Sequence, residues 1–287
     1  MAAVGMIVHP ERDLAAELAR DAAGWLTDRG HEVRLPVKDA GYVGLSELGC
    51  PEALFARGLD VVVSLGGDGT MLRSVDLVAA DGIPVIGVNV GQLGYLTEVE
   101  PQGVRMALKR FLAGSYDVDE RMLLQVQADS RSGSPEMERW HLALNEAVLE
   151  KAPMGHTVRL GVSVDGEPFT PYAADGLIVA TPTGSTAYSL SARGPIVAPT
   201  HRCLLLTPVS PHMLFDRTLV FDPSAVLRIE VLGNRAATLS VDGRTLATLN
   251  EGDAIACTAA PAAARLVMFG HRDFLRILKT KFGLNDR

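Results

Sequence analysis

Short apolar runs alternate with helical patterns along the first part of the chain. Residues 4–8 and 59–65 are apolar runs of strand length, and a helix is predicted to begin at Asp13 and to end near Gly30. The same alternation predicts strands at 31–35 and 83–89 and helices at 45–57, 71–80 and 104–112. Strands that alternate with helices indicate parallel β-α-β units, so we expect an α/β domain over residues 1–118.

Near residue 119 the pattern changes to short strands separated by turns. Residues 158–164 alternate between apolar and polar side chains before Asp165-Gly166, and residues 239–241 precede a second Asp-Gly pair, Asp242-Gly243. Asp-Gly pairs are typical of tight turns between antiparallel strands. We therefore expect an all-β sandwich over residues 119–264, with further strands at 124–128, 140–144 and 225–232.

The last stretch returns to helical spacing. Residues 274–282 form a predicted helix, and the alanine cluster at 259–264 has the composition of a linker that leads into it. We expect the segment 265–287 to complete the first domain. A polar stretch at 129–139 separates two of the predicted strands.

Composition and charge restrict the classes of function. The chain has 287 residues, of which 47% are hydrophobic and 21% charged, as in folded globular proteins. Its net charge is -7 and it has no block of Lys and Arg, so we expect neither a nucleic-acid partner nor a membrane partner. The three cysteines match no zinc spacing, and neither a signal peptide nor an apolar run of membrane-spanning length is found. These features predict a soluble, cytoplasmic protein.

A glycine-rich loop follows the predicted strand at 59–65. Its sequence, Gly66-Gly67-Asp68-Gly69-Thr70, is neither a P-loop nor a dinucleotide G-x-G-x-x-G. Glycines before a helix let backbone N–H groups approach phosphate oxygens closely. Asp68 is electrostatically costly beside phosphate unless it binds a metal or accepts a proton, and both roles suit phosphoryl transfer. The structural alternative is a tight turn in which Asp68 caps the following helix.

A hydroxyl-rich segment follows the predicted strand at 176–180. Asp175 precedes that strand, and Thr181-Pro182-Thr183-Gly184-Ser185-Thr186-Ala187-Tyr188-Ser189-Leu190-Ser191 follows it. Hydroxyls and amides suit ribose and phosphate oxygens, and a tyrosine ring can cover a base. A Ser/Thr-rich loop that caps a helix from about residue 187 explains the same composition equally well.

The polar pair Asn145-Glu146 interrupts an otherwise apolar stretch. Adjacent residues of a strand point to opposite faces, so both side chains can contact one ligand only if the chain leaves regular strand geometry there. A glutamate that accepts hydrogen bonds from ribose hydroxyls explains the pair. A buried ion pair or an exposed edge explains it as well.

Together these residues resemble one family, the NAD kinases. The matching segments, in family order over nearly the whole chain, are 66–70, 87–89, 91–96, 145–146, 175–197, 211–212 and 242–243. The glycine loop alone is shared with diacylglycerol- and sphingosine-type lipid kinases and, loosely, with phosphofructokinases. The long hydroxyl-rich segment is far more specific to the NAD kinases.

The resemblance implies transfer of the terminal phosphoryl group of ATP, or of polyphosphate, to the 2′-hydroxyl of the adenosine ribose of NAD. It implies an α/β N-terminal domain, a β-sandwich C-terminal domain and an active site between them. Asp68 is the implied general base, and Mg²⁺ or another divalent cation accompanies the donor, with no protein metal site assigned. The implied ligand contacts are Gly69, Arg73, Asn145, Glu146, His156, Asp175, Thr186, Ala187, Tyr188, Ser189, Leu190 and Ser191. Family members are usually homo-oligomers, so we expect a homodimer or homotetramer.

Four positions depart from the family pattern. Gln92 stands where Arg is common, Arg193 replaces a glycine, Arg244 replaces a common Gln, and Ala173 lacks the usual basic or polar side chain. These departures concern the dinucleotide subsite, the phosphoryl donor and the choice between NAD and NADH. Two alternative functions are a lipid kinase of the same superfamily and a catalytically silent NAD-binding regulator.

Overall fold

The computed structural model describes residues 1–92, 94–129, 139–152, 156–270 and 273–284. Leu93 and most of the polar stretch at 129–139 lie outside the described residues, as do parts of the segment 265–287. The chain divides into two compact units, residues 1–120 with 263–287, and residues 121–262. No helix in the described part of the chain is long and apolar enough to cross a membrane.

The helices and strands follow in chain order. The helices are α1 (Asp13–Thr27), α2 (Val37–Val43), α3 (Glu52–Phe55), α4 (Asp68–Val78), α5 (Val104–Leu112), α6 (Tyr188–Ser191) and α7 (Phe274–Phe282). The strands are β1 (Ala3–Val8), β2 (Glu32–Pro36), β3 (Gly49–Cys50), β4 (Val61–Gly66), β5 (Val85–Asn89), β6 (Asp117–Asp129), β7 (Trp140–Ala143), β8 (Glu146–Lys151), β9 (Val158–Val164), β10 (Glu167–Ala174), β11 (Gly176–Ala180), β12 (Leu204–Val209), β13 (Leu219–Phe221), β14 (Leu227–Leu232), β15 (Ala237–Val241), β16 (Arg244–Leu249) and β17 (Ala254–Met268).

The first unit contains a parallel sheet, as the sequence predicts. Its strands lie in the order β5-β4-β1-β2-β3, all paired in parallel, and Leu266 of β17 pairs with Val85 at the other edge of β5. Every residue of β4 and β5 is buried, which explains their continuous apolar sequences. From β1 the chain runs outward to β2 and β3 and then returns to β4 on the opposite side of β1. The sheet therefore has a topological switch point between β1 and β4, where open α/β sheets bind ligands.

The second unit is an antiparallel sandwich, also as predicted. One sheet has the strand order β13-β12-β11-β8-β15-β16, and the other contains β10-β9-β14 and the first part of β17. Aliphatic side chains from both sheets form the core between them. The two Asp-Gly pairs form the hairpin turns β9–β10 and β15–β16, with left-handed φ values of 52° and 86° at Asp165-Gly166 and 46° and 76° at Asp242-Gly243.

The less regular helix predicted around 45–57 is confirmed only in part, because α3 and a 3₁₀ turn form there and no continuous helix does. Two short helices, α2 and α3, flank a 3₁₀ turn at Ser46–Leu48 and the short strand β3. Gly44, with φ at 76°, ends α2 in the left-handed region, and Pro51 precedes α3. A glycine stop and a proline start therefore override the apolar spacing.

The alanine linker predicted at 259–264 is wrong. These residues belong to β17, a strand of 15 residues that starts in the second unit and ends in the first. Alanine has little intrinsic preference for strands, so pairing with neighbouring strands decides the conformation here. The helix predicted near residue 187 is a single turn, α6, and the helix predicted at 71–80 begins earlier, at Asp68.

Candidate active site

A pocket of about 360 Å³ opens at the switch point of the parallel sheet. The residues that line it come from the carboxyl end of β1 and from the glycine loop after β4: Val8, His9, Pro10, Arg12, Gly67, Asp68, Gly69, Thr70 and Arg73. The first N–H groups of α4 have no partner within the helix, and the helix dipole favours negative charge at this end. The pocket is therefore suited to an anionic ligand.

Asp68 is held by the segment that follows β5. It is the first residue of α4, and its two carboxylate oxygens accept hydrogen bonds from the N–H groups of Tyr95 (2.8 Å) and Leu96 (2.9 Å). The helix has no side-chain cap, so the capping role considered from the sequence is not the one that Asp68 plays. Each carboxylate oxygen keeps a second lone pair, so the oriented carboxylate can still accept a proton.

Two glycines leave the space that this arrangement needs. A Cβ at Gly94 would lie 2.2 Å from the Oδ1 of Asp68, and a Cβ at Gly66 would lie 2.1 Å from the Oγ1 of Thr70. Both distances are far below contact separation. The 94–96 segment therefore fits against Asp68 only because Gly94 carries no side chain, and Gly66 leaves room for the Thr70 side chain within the glycine loop.

The two arginines of the pocket have different surroundings. Arg73 forms a bidentate ion pair with Asp39, at 2.6 Å and 3.1 Å, and Asp39 is buried and also accepts the N–H of Val8 at 2.8 Å. Arg12 packs against the backbone of Gly91, where a Cβ would lie 1.8 Å from its Nη1. Among the described residues no carboxylate pairs with Arg12, so its charge faces the pocket uncompensated.

In the second unit, the chain leaves strand geometry at Leu144-Asn145, directly before Glu146. Strand β7 ends at Ala143 and β8 begins at Glu146. The N–H of Thr181 donates to the Asn145 carbonyl at 2.9 Å, and the hydroxyl of Thr181 donates to the Leu144 carbonyl at 2.5 Å. The polar pair and the hydroxyl-rich segment are thus bonded to each other.

Gly184 allows this close approach. A Cβ at this position would lie 2.1 Å from the Asn145 carbonyl oxygen. The Thr-Gly-Ser-Thr turn can therefore lie against the Asn145 backbone only with glycine at its second position.

Glu146 is a buried carboxyl group without a cation. Its side chain has no Lys or Arg partner in the described part of the chain, and its Oε2 has no hydrogen-bond partner there. Burial is the main cause that raises its pKa to about 8, and the carboxylate of Asp242 raises it further, while the N–H of Tyr188 donates a hydrogen bond that lowers it. At neutral pH this group is predominantly a neutral acid.

The residues from Thr186 to Ser191 divide into two groups. Thr186, Ala187, Leu190 and Ser191 are partly or fully accessible, and Tyr188 is 37% exposed. The hydroxyl of Ser189 is fully buried and lies 2.9 Å from the hydroxyl of Thr207. The Ser189 hydroxyl is thus used in a buried contact with Thr207, whereas the Tyr188 ring is exposed enough to contact a ligand.

Asp175 and His156 lie at other points of the second unit. Asp175 forms an ion pair with Lys151 at 2.6 Å and remains about one third exposed. His156 is exposed in the bend that precedes β9.

Burial raises the pKa of Tyr188, with smaller contributions from the carboxylates of Glu150, Asp175 and Glu146.

Sequence reasoning missed three groups: Arg12 and Asp39 at the pocket of the first unit, and Asp242 beside Asn145 in the second. Arg12 and Asp39 carry no local motif, because their roles depend on which loops the parallel sheet brings together. Asp242 was identified as a turn residue in a segment that matches the family, without a role of its own, yet its carboxylate accepts hydrogen bonds from three successive N–H groups beside Asn145. The Asp-Gly turn and that match were the sequence signals available for it.

Comparison with known proteins identifies the family. The chain matches the ATP-NAD kinase N-terminal domain over residues 4–116 and the ATP-NAD kinase C-terminal domain over residues 144–269. It is 42% identical over 283 residues to the NAD kinase of Heliobacterium modesticaldum, a match that covers 98% of each protein. The chain belongs to the NAD kinase family.

Solved NAD kinase structures share the fold. A yeast NADH kinase complexed with NADH superposes with a TM-score of 0.90 at 26% identity, covering 100% of this chain and 89% of that one. An NAD kinase from Archaeoglobus fulgidus in complex with ATP superposes with a TM-score of 0.71 at 25% identity, covering 98% and 97%. The NAD kinase of Syntrophotalea carbinolica is 38% identical over 280 residues, covering 97% of this chain and 96% of that protein.

Among the departures from the NAD kinase pattern, Arg193 has a structural consequence. Its φ of 68° lies in the left-handed region, which a glycine adopts without strain. Ala173 lies in β10, and Gln92 and Arg244 are exposed.

Proposed function

We propose that this chain transfers the terminal phosphoryl group of ATP to the 2′-hydroxyl of the adenosine ribose of NAD, producing NADP. Membership of the NAD kinase family supports the reaction class, and full-length similarity to relatives named NAD kinase supports the substrate. One observation supports the chemistry most directly: Asp68 is oriented by two backbone N–H groups in an open pocket beside a glycine loop, with Arg12 and Arg73 in the same pocket.

In this proposal Asp68 accepts the proton of the 2′-hydroxyl as the oxygen attacks phosphorus. The free N–H groups at the start of α4, together with Arg12 and Arg73, stabilise the phosphoryl oxygens. Asn145, Glu146, Asp175 and the 186–191 segment hold the dinucleotide. Because Arg73 is bound to buried Asp39, its guanidinium is preorganised and loses little conformational entropy on binding.

We propose that Mg²⁺, or another divalent cation, enters with the donor. The described residues contain no group of three His, Cys, Asp or Glu side chains able to hold a metal. We propose that the oxygens of the donor's phosphates ligate the ion, which would neutralise part of their charge.

The decisive experiment measures NADP formation from NAD, ATP and Mg²⁺ by the purified protein. We expect Asp68→Asn to lower kcat by at least a factor of about 100, the usual range for loss of a general base, with an unchanged melting temperature. Asp13→Asn is the matched control, since Asp13 is the exposed first residue of another helix, α1. Absence of NADP with every donor would refute the proposed function, and full activity of Asp68→Asn would refute the proposed base.

Three finer proposals accompany this function. The donor is proposed to be ATP or polyphosphate, and parallel assays with both decide between them. A homodimer or homotetramer is proposed, and light scattering of the purified protein measures it. A cytoplasmic location is proposed, supported by three cysteines that are all free thiols.

A further inference from the structure

One carboxylate organises the corner between β7 and β8. The Oδ2 of Asp242 accepts the N–H of Leu144 at 2.7 Å, and its Oδ1 accepts those of Asn145 and Glu146 at 2.9 Å and 3.1 Å. Three successive N–H groups that no strand partner uses are thereby satisfied. The carboxylate of Asp242 is therefore the charged acceptor that fixes the backbone of this corner.

The same turn is bound to the corner in the opposite direction. The N–H of Asp242 donates to the Glu146 carbonyl at 3.0 Å. Asp242 has a φ of 46° and Gly243 a φ of 76°, so the left-handed turn between β15 and β16 aims both the carboxylate and the N–H at one place. The position of Glu146 therefore depends on Asp242.

Glu146 is buried, and one of its two carboxyl oxygens has no hydrogen-bond partner among the described residues. Only 7% of the residue is exposed, and its Oε2 has no partner within the described part of the chain. A buried, charged oxygen without a donor is costly, whereas a protonated oxygen can donate to a ligand. The geometry alone thus favours a neutral acid.

The charged and titratable groups around Glu146 are mostly acidic. Asp242 faces it from the β15–β16 turn and Tyr188 from α6, with Glu150 further along its own strand. Asp175 is neutralised by Lys151. Two arginines of the described residues also belong to this environment: Arg244, at the start of β16, is exposed, and Arg121 of β6 is buried with its Nη1 3.5 Å from the hydroxyl of Thr183. No described contact pairs either arginine with Glu146. Burial is the main cause that raises the pKa of Glu146 to about 8, and the carboxylate of Asp242 raises it further, while the N–H of Tyr188 lowers it.

We propose that Glu146 binds the dinucleotide as a neutral carboxylic acid that donates a hydrogen bond to a ligand oxygen, and that Asp242 is the positioning residue that fixes Glu146 and keeps it protonated. This inference rests on the proposed function, because it takes NAD as the ligand. A neutral donor suits a ligand that carries two phosphate charges, since it provides a hydrogen bond without repulsion. A charged Glu146 could only accept, and would add to the negative field of Asp242.

The test measures the dissociation constant of NAD by calorimetry between pH 6.5 and 9.5. For the unaltered protein we expect constant affinity below about pH 8 and a loss of roughly tenfold per pH unit above it, as the donor proton is removed. Glu146→Gln supplies a permanent donor of nearly the same shape, so its affinity should stay high and its profile should be flat. Glu167→Gln, at an exposed position of β10, is the matched control and should keep the profile of the unaltered protein.

Asp242→Asn separates positioning from simple folding. It removes one negative charge beside Glu146, so the inflection of the binding profile should move to lower pH, in addition to any loss of affinity. A variant with purely structural damage would lose affinity without moving the inflection. If Asp242→Asn does not fold, the Glu146→Gln profile still decides the protonation state.

Each outcome bears on the inference. A flat profile in the unaltered protein, no NAD binding at all, or a Glu146→Gln variant that binds as weakly as Glu146→Ala would overturn it. NADP formation is assayed separately. NADP formation with a flat binding profile refutes this inference alone, whereas the expected profile without NADP formation refutes only the proposed function.

Discussion

Two arginines border the pocket beside Asp68, and they differ in what holds them. Arg73 is neutralised by the buried carboxylate of Asp39, while Arg12 rests on the Gly91 backbone without a carboxylate partner in the described ranges. Because no described carboxylate is paired with Arg12, its guanidinium is free to pair with an incoming anion. Arg12 is thus the residue whose charge is best placed to recognise a phosphoryl donor.

We expect Arg12→Ala to raise KM for ATP at least tenfold and to leave KM for NAD within about a factor of two, since a charge-assisted hydrogen bond contributes about 1.5–3 kcal/mol. Arg12→Lys should recover part of the effect. Steady-state kinetics with each substrate varied in turn measure both constants. Arg29→Ala, which alters an exposed arginine at the end of α1, is the control. An equal rise in both KM values would contradict the assignment to the donor.

Arg193 has a strained backbone conformation. Its φ of 68° places a side chain where glycine is free of steric cost, and left-handed geometry costs a non-glycine residue about 1 kcal/mol. Arg193→Gly should therefore increase the free energy of unfolding by up to about 1 kcal/mol, and urea denaturation measures it. Arg193→Ala is the control, since it removes the side chain and keeps the strain. Equal stability of the Gly and Ala variants would show that the backbone is not the cause.

At the scale of elements, the position of Asp68 depends on a loop more than on its own helix. The segment that follows β5 supplies both N–H donors, and Gly94 must lack a side chain for the carboxylate to reach them. The start of α4 and this segment therefore form one unit, although 27 residues of sequence separate Asp68 from Tyr95.

Gly94→Ala should displace the Asp68 carboxylate, because the added Cβ would lie 2.2 Å from its Oδ1. We expect kcat to fall at least tenfold while the far-UV circular dichroism spectrum is retained. Gly24→Ala in α1 is the control, since nothing lies within 4 Å of its added Cβ and alanine is favoured in a helix interior. Unchanged kcat in Gly94→Ala would mean that the position of Asp68 tolerates movement of this loop.

Helices and strands with a strong hydrophobic periodicity could be predicted from the sequence. Segments whose conformation depends on pairing with neighbouring strands could not. Strand β4 is buried on every residue and α5 has one buried face, so their sequences reveal them directly. Residues 259–264 are small and neutral, and only strand neighbours make them part of β17. The corner at Asn145 depends on Asp242, which lies 97 residues away in the chain. Local sequence therefore predicted the polar pair and missed the group that shapes it.

For the whole molecule, two different hydrophobic patterns along the sequence predicted two fold classes. The structure has both, an α/β unit with a parallel sheet and an antiparallel sandwich. The pocket could not be located to the same degree. Strand order decides that β1 and β4 are neighbours, and hence that Arg12 meets the glycine loop, while nothing in either segment encodes that order by itself. Site residues that belong to a sequence motif could be predicted from the sequence. Their positions relative to one another could be found only from the tertiary fold.

The raised pKa of Glu146 also makes a prediction for the stability of the ligand-free protein. Its folded pKa of about 8 lies above the ordinary value of 4.5, so the folded state binds more protons than the unfolded state between these values. The contribution of Glu146 to stability is therefore complete below pH 4.5, decreases by up to about 1.4 kcal/mol per pH unit as the pH rises, and is lost above pH 8.

Glu146→Gln cannot titrate, so its free energy of unfolding should lack this decrease. We expect the free energy of unfolding of the Gln variant to rise steadily relative to that of the unaltered protein from pH 6 to pH 8. Above pH 8 the difference should level off. Urea denaturation of both proteins at each pH measures the difference, and other titrating groups cancel because both proteins contain them. Because Glu146 lies in the unit of residues 121–262, a probe in that unit, such as Trp140 fluorescence, should report the effect. Parallel stability curves over this range would show that Glu146 is ionised in the folded protein, and would remove the basis for its role as a hydrogen-bond donor.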